Sequence, residues 1–442
     1  MPHHRRRRAE EGSAADLLRE GEEVGVRVAR LAALLVVLGF TACPRPTAPV
    51  DAGSCECQTP IVQAPSKVPP TPVRLDAPSP HDVHPLAVCE AKGKDPLEAA
   101  QAFADGLAWD KALSCAAQAS ALAPDEPMAH AERGRALVAL ERLDEAKLAY
   151  ARALAVDPQS LDALLGAAHL YSAVLPSSRE VDELGVLYAE RGFALAQAAA
   201  ARSGDKEELA IALELGRVAA VALNDVGRNA EAIARSEWVL ERAKDDPEAS
   251  FERALALFER CRFPEAQAAF QKLTGDAKRG GHAHYHLALI LERDGKQAEA
   301  DRHFAKAHLA SPEHFWTPVL LPKPEFEKEL AALVEALPAE VKADLKGVPI
   351  GAEDVPALAD LTTGEPPLSP TILGLFRGPP IQEACQPEDG DPCRSVVLYR
   401  KNLGRAVKTR EELVQQMKVT LLHEVGHLRG EDDGELAARG LE

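Results

Sequence analysis

His423, Glu424 and His427 stand in the stretch His-Glu-Val-Gly-His, with the two histidines four residues apart. In a helix, that spacing puts both imidazoles on one face, one turn apart, where they can share a single Zn²⁺. Glu424 would project beside the ion, close to a bound water. Zinc lowers the pKa of such a water from ~15.7 to about 7, so a carboxylate can take its proton as the oxygen attacks a peptide carbonyl. Gly430 follows the second histidine by three residues, and a glycine there can adopt φ > 0 and end the helix. The chain then turns back, so Asp433 can face the metal as a third ligand and leave a fourth position for water. Asp432, Glu431 and Glu435 are neighbours able to substitute for it. A solvated acidic helix end accounts for the run with no metal at all.

The elements around these residues are mixed. Thr409 to about Leu428 reads as one amphipathic helix, with Leu413, Met417, Leu421, Val425 and Leu428 at three- and four-residue steps. Ser395 to Tyr399 is rich in β-formers and follows a polar loop, which predicts a strand, and Leu345 to Ile350 predicts another. A helical stretch ending at Leu337 precedes them. Cys385 and Cys393 flank a loop of Pro, Gly and Asp; a local disulfide fits there, and so do two free thiols.

From about Pro322 to Leu441 the chain resembles the minimal zincin-like metallopeptidases of bacteria, defined by HExxHxxGxxD. Matching stretches are Glu325 to Glu327 through Leu337-Pro338, Leu373 to Pro380, Leu398 to Arg400 and Val419 to Glu424. The resemblance implies a small α+β zincin domain with the Ser395 to Tyr399 strand beside the metal helix. It implies one Zn²⁺ per chain on His423, His427 and Asp433, with Glu424 as general base. Metzincins carry a third histidine where this chain has Asp433. The loop closed by Cys385 and Cys393 departs from the family pattern.

Upstream, the sequence repeats. Ala112 and Ala146 lie 34 apart, as do Pro124 and Pro158; Ala232, Ala266 and Ala300 step by 34 again. A helix-turn-helix unit of this length resembles the tetratricopeptide repeat. One good unit runs from about Pro127 to Gln159, with Gly134 where the second helix must come close. The period covers roughly residues 93 to 315 and blurs between about 160 and 215, where longer helices or an insertion break it. Such helix pairs stack into a solenoid whose concave face, in that family, binds a peptide or protein partner; a mere spacer is the plainer reading. His282, His284 and His286 alternate, and only His282 and His286 would share a helix face, so packing is favoured over a metal site. His303 and His308 read as ordinary positions.

The chain has 442 residues, a net charge of -18 and 4% aromatics, which favours packed helices and argues against a nucleic-acid partner. The run His3 to Arg8 is the one dense basic cluster. Leu31 to Phe40 is too short to cross a membrane comfortably and suits the apolar core of a signal peptide over residues 1–42. Phe-Thr-Ala-Cys resembles a bacterial lipobox, which implies lipidation of Cys43, a membrane anchor and a cell-envelope location. An ordinary Ala-x-Ala-like cleavage site or a short buried helix is the alternative. Pro44 after the cysteine leans towards the outer membrane. The acidic stretch from Glu10 to Glu23 fits a signal peptide poorly, and translation starting near Val24 would remove it. Residues 43–92 read as a Pro-rich tether. Cys55-Glu56-Cys57 is too weak a pattern for a metal site.

The expectation is thus a mainly α chain: a tetratricopeptide α-solenoid (93–315) followed by a small α+β zincin-like domain (322–442). Its function would be that of a membrane-tethered zinc peptidase acting on protein or peptide substrates. The other reading is a scaffold lipoprotein whose repeats bind partners and whose zincin domain is structural.

Overall fold

The protein was analysed as a computed structural model, which describes residues 88–91, 93–386 and 392–441. The expected signal peptide, Cys43, Cys55, Cys57 and the tether up to residue 87 lie outside the described residues.

Twelve helices form the solenoid: α1 (Pro96–Asp105), α2 (Trp109–Leu122), α3 (Pro127–Ala139), α4 (Leu143–Val156), α5 (Leu161–His169), α6 (Arg179–Ser203), α7 (Lys206–Asp225), α8 (Asn229–Arg242), α9 (Pro247–Glu259), α10 (Phe263–Leu273), α11 (Gly280–Arg293) and α12 (Gln297–Ala310). Helices α1, α3 and α9 start alike. Asp95, Glu126 and Asp246 each accept a backbone N–H, and proline occupies the first helical position. The turns inside the pairs are equally regular. Leu107, Glu141, Gly227, Cys261 and Gly295 all have φ between 56° and 74°. Within each group they are 34 residues apart, so the sequence period is a period of backbone conformation.

Close helix packing explains the glycines of one unit. The ring of Tyr150 lies against both Gly134 and Gly166; a Cβ on Gly134 would sit 2.8 Å from Tyr150 Cε1. The blurred register has its cause in α6 and α7, which are 25 and 20 residues long, after α5 runs into a π-helical turn at Leu170–Val174. Cys89 and Cys115 form a disulfide that ties the chain ahead of α1 to α2; no spacing in the sequence pointed to that pair. His282 and His286 are buried among Phe251, Phe258, Phe270 and Phe315. His284 meets His303 across the helix pair, Nδ1 to Nδ1 at 2.9 Å.

The C-terminal part contains α13 (Lys323–Ala336), α14 (Ala339–Asp344), β1 (Ile350–Glu353), α15 (Leu358–Leu361), β2 (Gly374–Arg377), β3 (Ser395–Tyr399), α16 (Arg400–Ala406), α17 (Arg410–Leu428) and α18 (Asp433–Ala438). The sheet order is β1-β3-β2, with β1 parallel and β2 antiparallel to β3. The strand expected at Leu345 to Ile350 needs correcting. Leu345 closes α14 and Gly347 takes φ 83°, so the chain turns there and becomes extended only from Ile350. Strand β3 has the expected bounds. Helix α17 opens with Thr409 and Glu412 in a capping box. Its buried Leu413, Met417, Leu421, Val425 and Leu428 pack on Val396, Leu398 and Phe326 in one core.

The two parts are in contact. Glu292 of α11 is nearly fully enclosed and accepts bonds from Lys401 (3.0 Å) and Arg405 (2.6 Å) of α16. Trp316 Nε1 donates to Val407 O at 2.9 Å. Among the described residues, no helix is long and apolar enough to cross a membrane.

Candidate metal centre

Helix α17 brings His423 and His427 to one side, one turn apart. The helix ends at once beyond them: Gly430 takes φ 84°, and Glu431 N–H returns to Gly426 O at 3.0 Å. The chain then re-enters a helix. Asp432 and Glu435 form the capping box of α18, and Glu431 pairs with Arg439. These three acidic residues are thereby committed elsewhere, and Asp433, first residue of α18, faces the histidines. Leu436 anchors this return by lying on Gly426, where any Cβ would collide with it.

The donor atoms converge. His427 Nε2 lies 3.0 Å from His423 Nε2, and Asp433 Oδ1 lies 3.2 Å from His427 Nε2 and 3.5 Å from His423 Nε2. Metal bonds of ~2.0–2.1 Å in a tetrahedral site place ligands about 3.3 Å apart, so this triangle fits the size of a zinc ion. Each outer ring nitrogen faces a backbone carbonyl: His423 Nδ1 to Leu441 O at 2.6 Å, His427 Nδ1 to Glu431 O at 3.0 Å. A carbonyl only accepts, so Nδ1 carries the proton and Nε2 keeps its lone pair for the centre. The three side chains are about a quarter to a third exposed, at 25%, 29% and 31%, so the centre is open on one side.

Glu424 is buried. Its Oε2 accepts the Phe376 N–H of β2 at 2.7 Å. The strand can come this close because residue 374 is glycine; a Cβ there would lie 2.6 Å from Thr420 Cγ2 and 2.8 Å from Glu424 Oε1. Burial raises the pKa of Glu424 above the usual carboxylate range, against the pull of His427 and His423. Burial also works against charge on the two imidazoles, but their bonds to Asp433 carry both above the ordinary histidine value. Asp433, although partly buried, is held well below the usual range by the same bonds. A dense anion facing two neutralisable rings is the donor set that a divalent cation replaces protons in.

His423, Glu424, His427 and Asp433 are therefore brought together, as expected, and among the described residues His423, His427 and Asp433 supply the one group of three or more side chains placed to hold a metal. Cys385 and Cys393 are paired as a disulfide with Cα atoms 5.9 Å apart. The segment just ahead of Cys385 rests on the same helix end, Ile381 N–H donating to Leu428 O at 2.8 Å. Sequence reasoning missed Gly374 and the Phe376 N–H as supports of Glu424, and Gly426 with Leu436 as supports of Asp433. The glycines were visible, but what they make room for was not.

Residues 345–441 match the family model of zincin-like metallopeptidases, which implies a metal, usually zinc. No curated protein sequence matches the chain significantly. Among solved structures, the chain is similar to YrrB, described as a TPR protein with an unusual peptide-binding site (17% identity, TM-score 0.35, 45% of this chain and 93% of that one). It is also similar to Pseudomonas aeruginosa pilF (12%, 0.39, 53% and 96%) and to PilW, a type IV pilus biogenesis factor (15%, 0.40, 50% and 94%). The architecture is a mainly α, tetratricopeptide-like solenoid followed by a small α+β zincin-like domain.

Proposed function

We propose that this chain is a zinc-dependent peptidase that hydrolyses peptide bonds. His423, His427 and Asp433 hold the ion, and Glu424 serves as general base. The observation carrying the reading is the convergence of both Nε2 atoms and Asp433 Oδ1 while both Nδ1 atoms are tied to carbonyls. Bound zinc supplies an acidified water and an electrophile for the scissile carbonyl. The chain's own residues do the rest. Glu424 is fixed through Oε2 by the Phe376 N–H and takes the water's proton on its other oxygen. Burial raises the pKa of that carboxylate and so favours its taking up a proton.

The solenoid supplies a surface of stacked helix pairs suited to a protein or peptide, either the substrate or a partner that delivers it. Lipidation at Cys43 would tether the chain to a membrane of the cell envelope, with the tract to residue 92 as spacer. The test of the central reading is cleavage of a denatured protein substrate by wild type and by Glu424→Gln, each loaded with zinc. Cleavage by wild type alone supports it. Equal activity would remove Glu424 as the base and with it this mechanism; no activity in either with zinc bound favours a scaffold in which the metal is structural.

A further inference from the structure

A sizeable chamber lies away from the metal centre. A cavity of about 440 Å³ lies where the last helices of the solenoid, the connector after α12 and the zincin-like domain meet. Its volume is that of a small-ligand site. Tyr285, Leu289, Phe304, Phe315, Trp316 and Leu373 give it an apolar, strongly aromatic wall.

The acidic groups in that wall are unequally matched. Glu292 is answered by Lys401 and by Arg405, whose guanidinium also lies over the Phe304 ring at 4.8 Å. Glu259, the last residue of α9, has no such counterpart. It is 6% exposed, its carboxyl is bonded to the Ser369 hydroxyl, and among the described residues no cation lowers its pKa. Burial pushes its pKa up to about 7. Asp301, at the exposed rim, accepts a bond from the neutral Gln297 amide. An isolated carboxylate in an apolar enclosure is unfavourable unless something pairs with it, and aromatic walls attract cations through their ring faces.

We propose that this chamber is a binding site for a primary ammonium on an apolar stem, its charge set against Glu259 and its stem against Tyr285, Leu289 and Phe315. A peptide's α-amine beside an apolar first residue and a lysine side chain share that chemistry. The site is independent of the metal centre, so zinc content and cleavage stay as in wild type when Glu259 is changed.

Calorimetric titration of the full chain at pH 8 with hexylammonium chloride tests this, with hexanol and hexanoate as neutral and anionic counterparts. The expected result is one hexylammonium per chain, bound at least tenfold more tightly than hexanol, with no hexanoate binding. Glu259→Gln should erase the preference for the ammonium. Ala305→Trp, an exposed substitution at the mouth, should block both ligands without touching the acid. Leucinamide against Nα-acetyl-lysine amide then separates the two sources. Equal binding of hexylammonium and hexanol, an unchanged preference in Glu259→Gln, or full binding in Ala305→Trp would each overturn the proposal.

Discussion

Leu436 of α18 sits in the notch left by Gly426 on the metal helix, and this contact places Asp433 opposite His423 and His427. The two residues are ten apart in sequence but act as a latch, because the only route for Asp433 to the histidines is a helix that turns back on its predecessor. Gly426→Ala would force Leu436 outwards. Overpacking of this kind costs about 1–3 kcal/mol, and displacement of a ligand's support lowers metal affinity by roughly 10- to 100-fold. Competition with a zinc chelator measures it; unchanged affinity would show that Asp433 is not held by this latch.

Gly374 has the corresponding role for Glu424. Gly374→Ala places a methyl against Thr420 and the Glu424 carboxylate, so the expected outcome is a fold weakened by about 1–3 kcal/mol and catalysis lost with zinc retained. Zinc content and cleavage measured on the same sample separate this from loss of the metal.

One buried charge lies within the contact between solenoid and zincin-like domain. Glu292→Gln removes the anion shared by Lys401 and Arg405 and leaves Lys401 only its longer pairing with Asp354 at 3.6 Å. Removing one partner of a buried pair destabilises by roughly 3–5 kcal/mol. Urea unfolding should show a lower midpoint, or two transitions in place of one.

Acid should loosen the last repeat first. Burial lowers the pKa of His286 from 6.5 to about 4, and that of His282 to about 3, with His286 stacked flat on Phe270. The unfolded chain therefore binds these protons at higher pH than the folded one does. Stability is full above about pH 6.5 and falls as pH drops towards 4, by an amount on the order of a few kcal/mol. His286→Phe should flatten that slope. Thermal midpoints taken between pH 7 and 4.5 check it.

How much of this was legible in the sequence follows from how local each signal is. His423, Glu424 and His427 are set by helical spacing alone, and the apolar steps from Leu413 to Leu428 marked α17, although its capping box was not read. Gly430 announced the turn that delivers Asp433. The 34-residue period was legible because each pair repeats one backbone turn, from Leu107 to Gly295. Strand β2 was not read as a strand: it is four residues long, carries a glycine, and is extended because β3 pairs with it. The Leu345 strand was misplaced because Gly347 and Pro349 shift where the chain can extend. Cys89–Cys115 and the wall around Glu259 join residues from distant elements, and no spacing encodes them.

The most direct measurement is metal content of the purified protein, by elemental analysis, in wild type, His423→Ala and Glu424→Gln. The expected result is about one zinc per chain in wild type and in Glu424→Gln and none in His423→Ala, since the imidazoles ligate and the carboxylate does not. Zinc absent from wild type after reconstitution, or retained undiminished in His423→Ala, would contradict the metal centre and with it the peptidase reading.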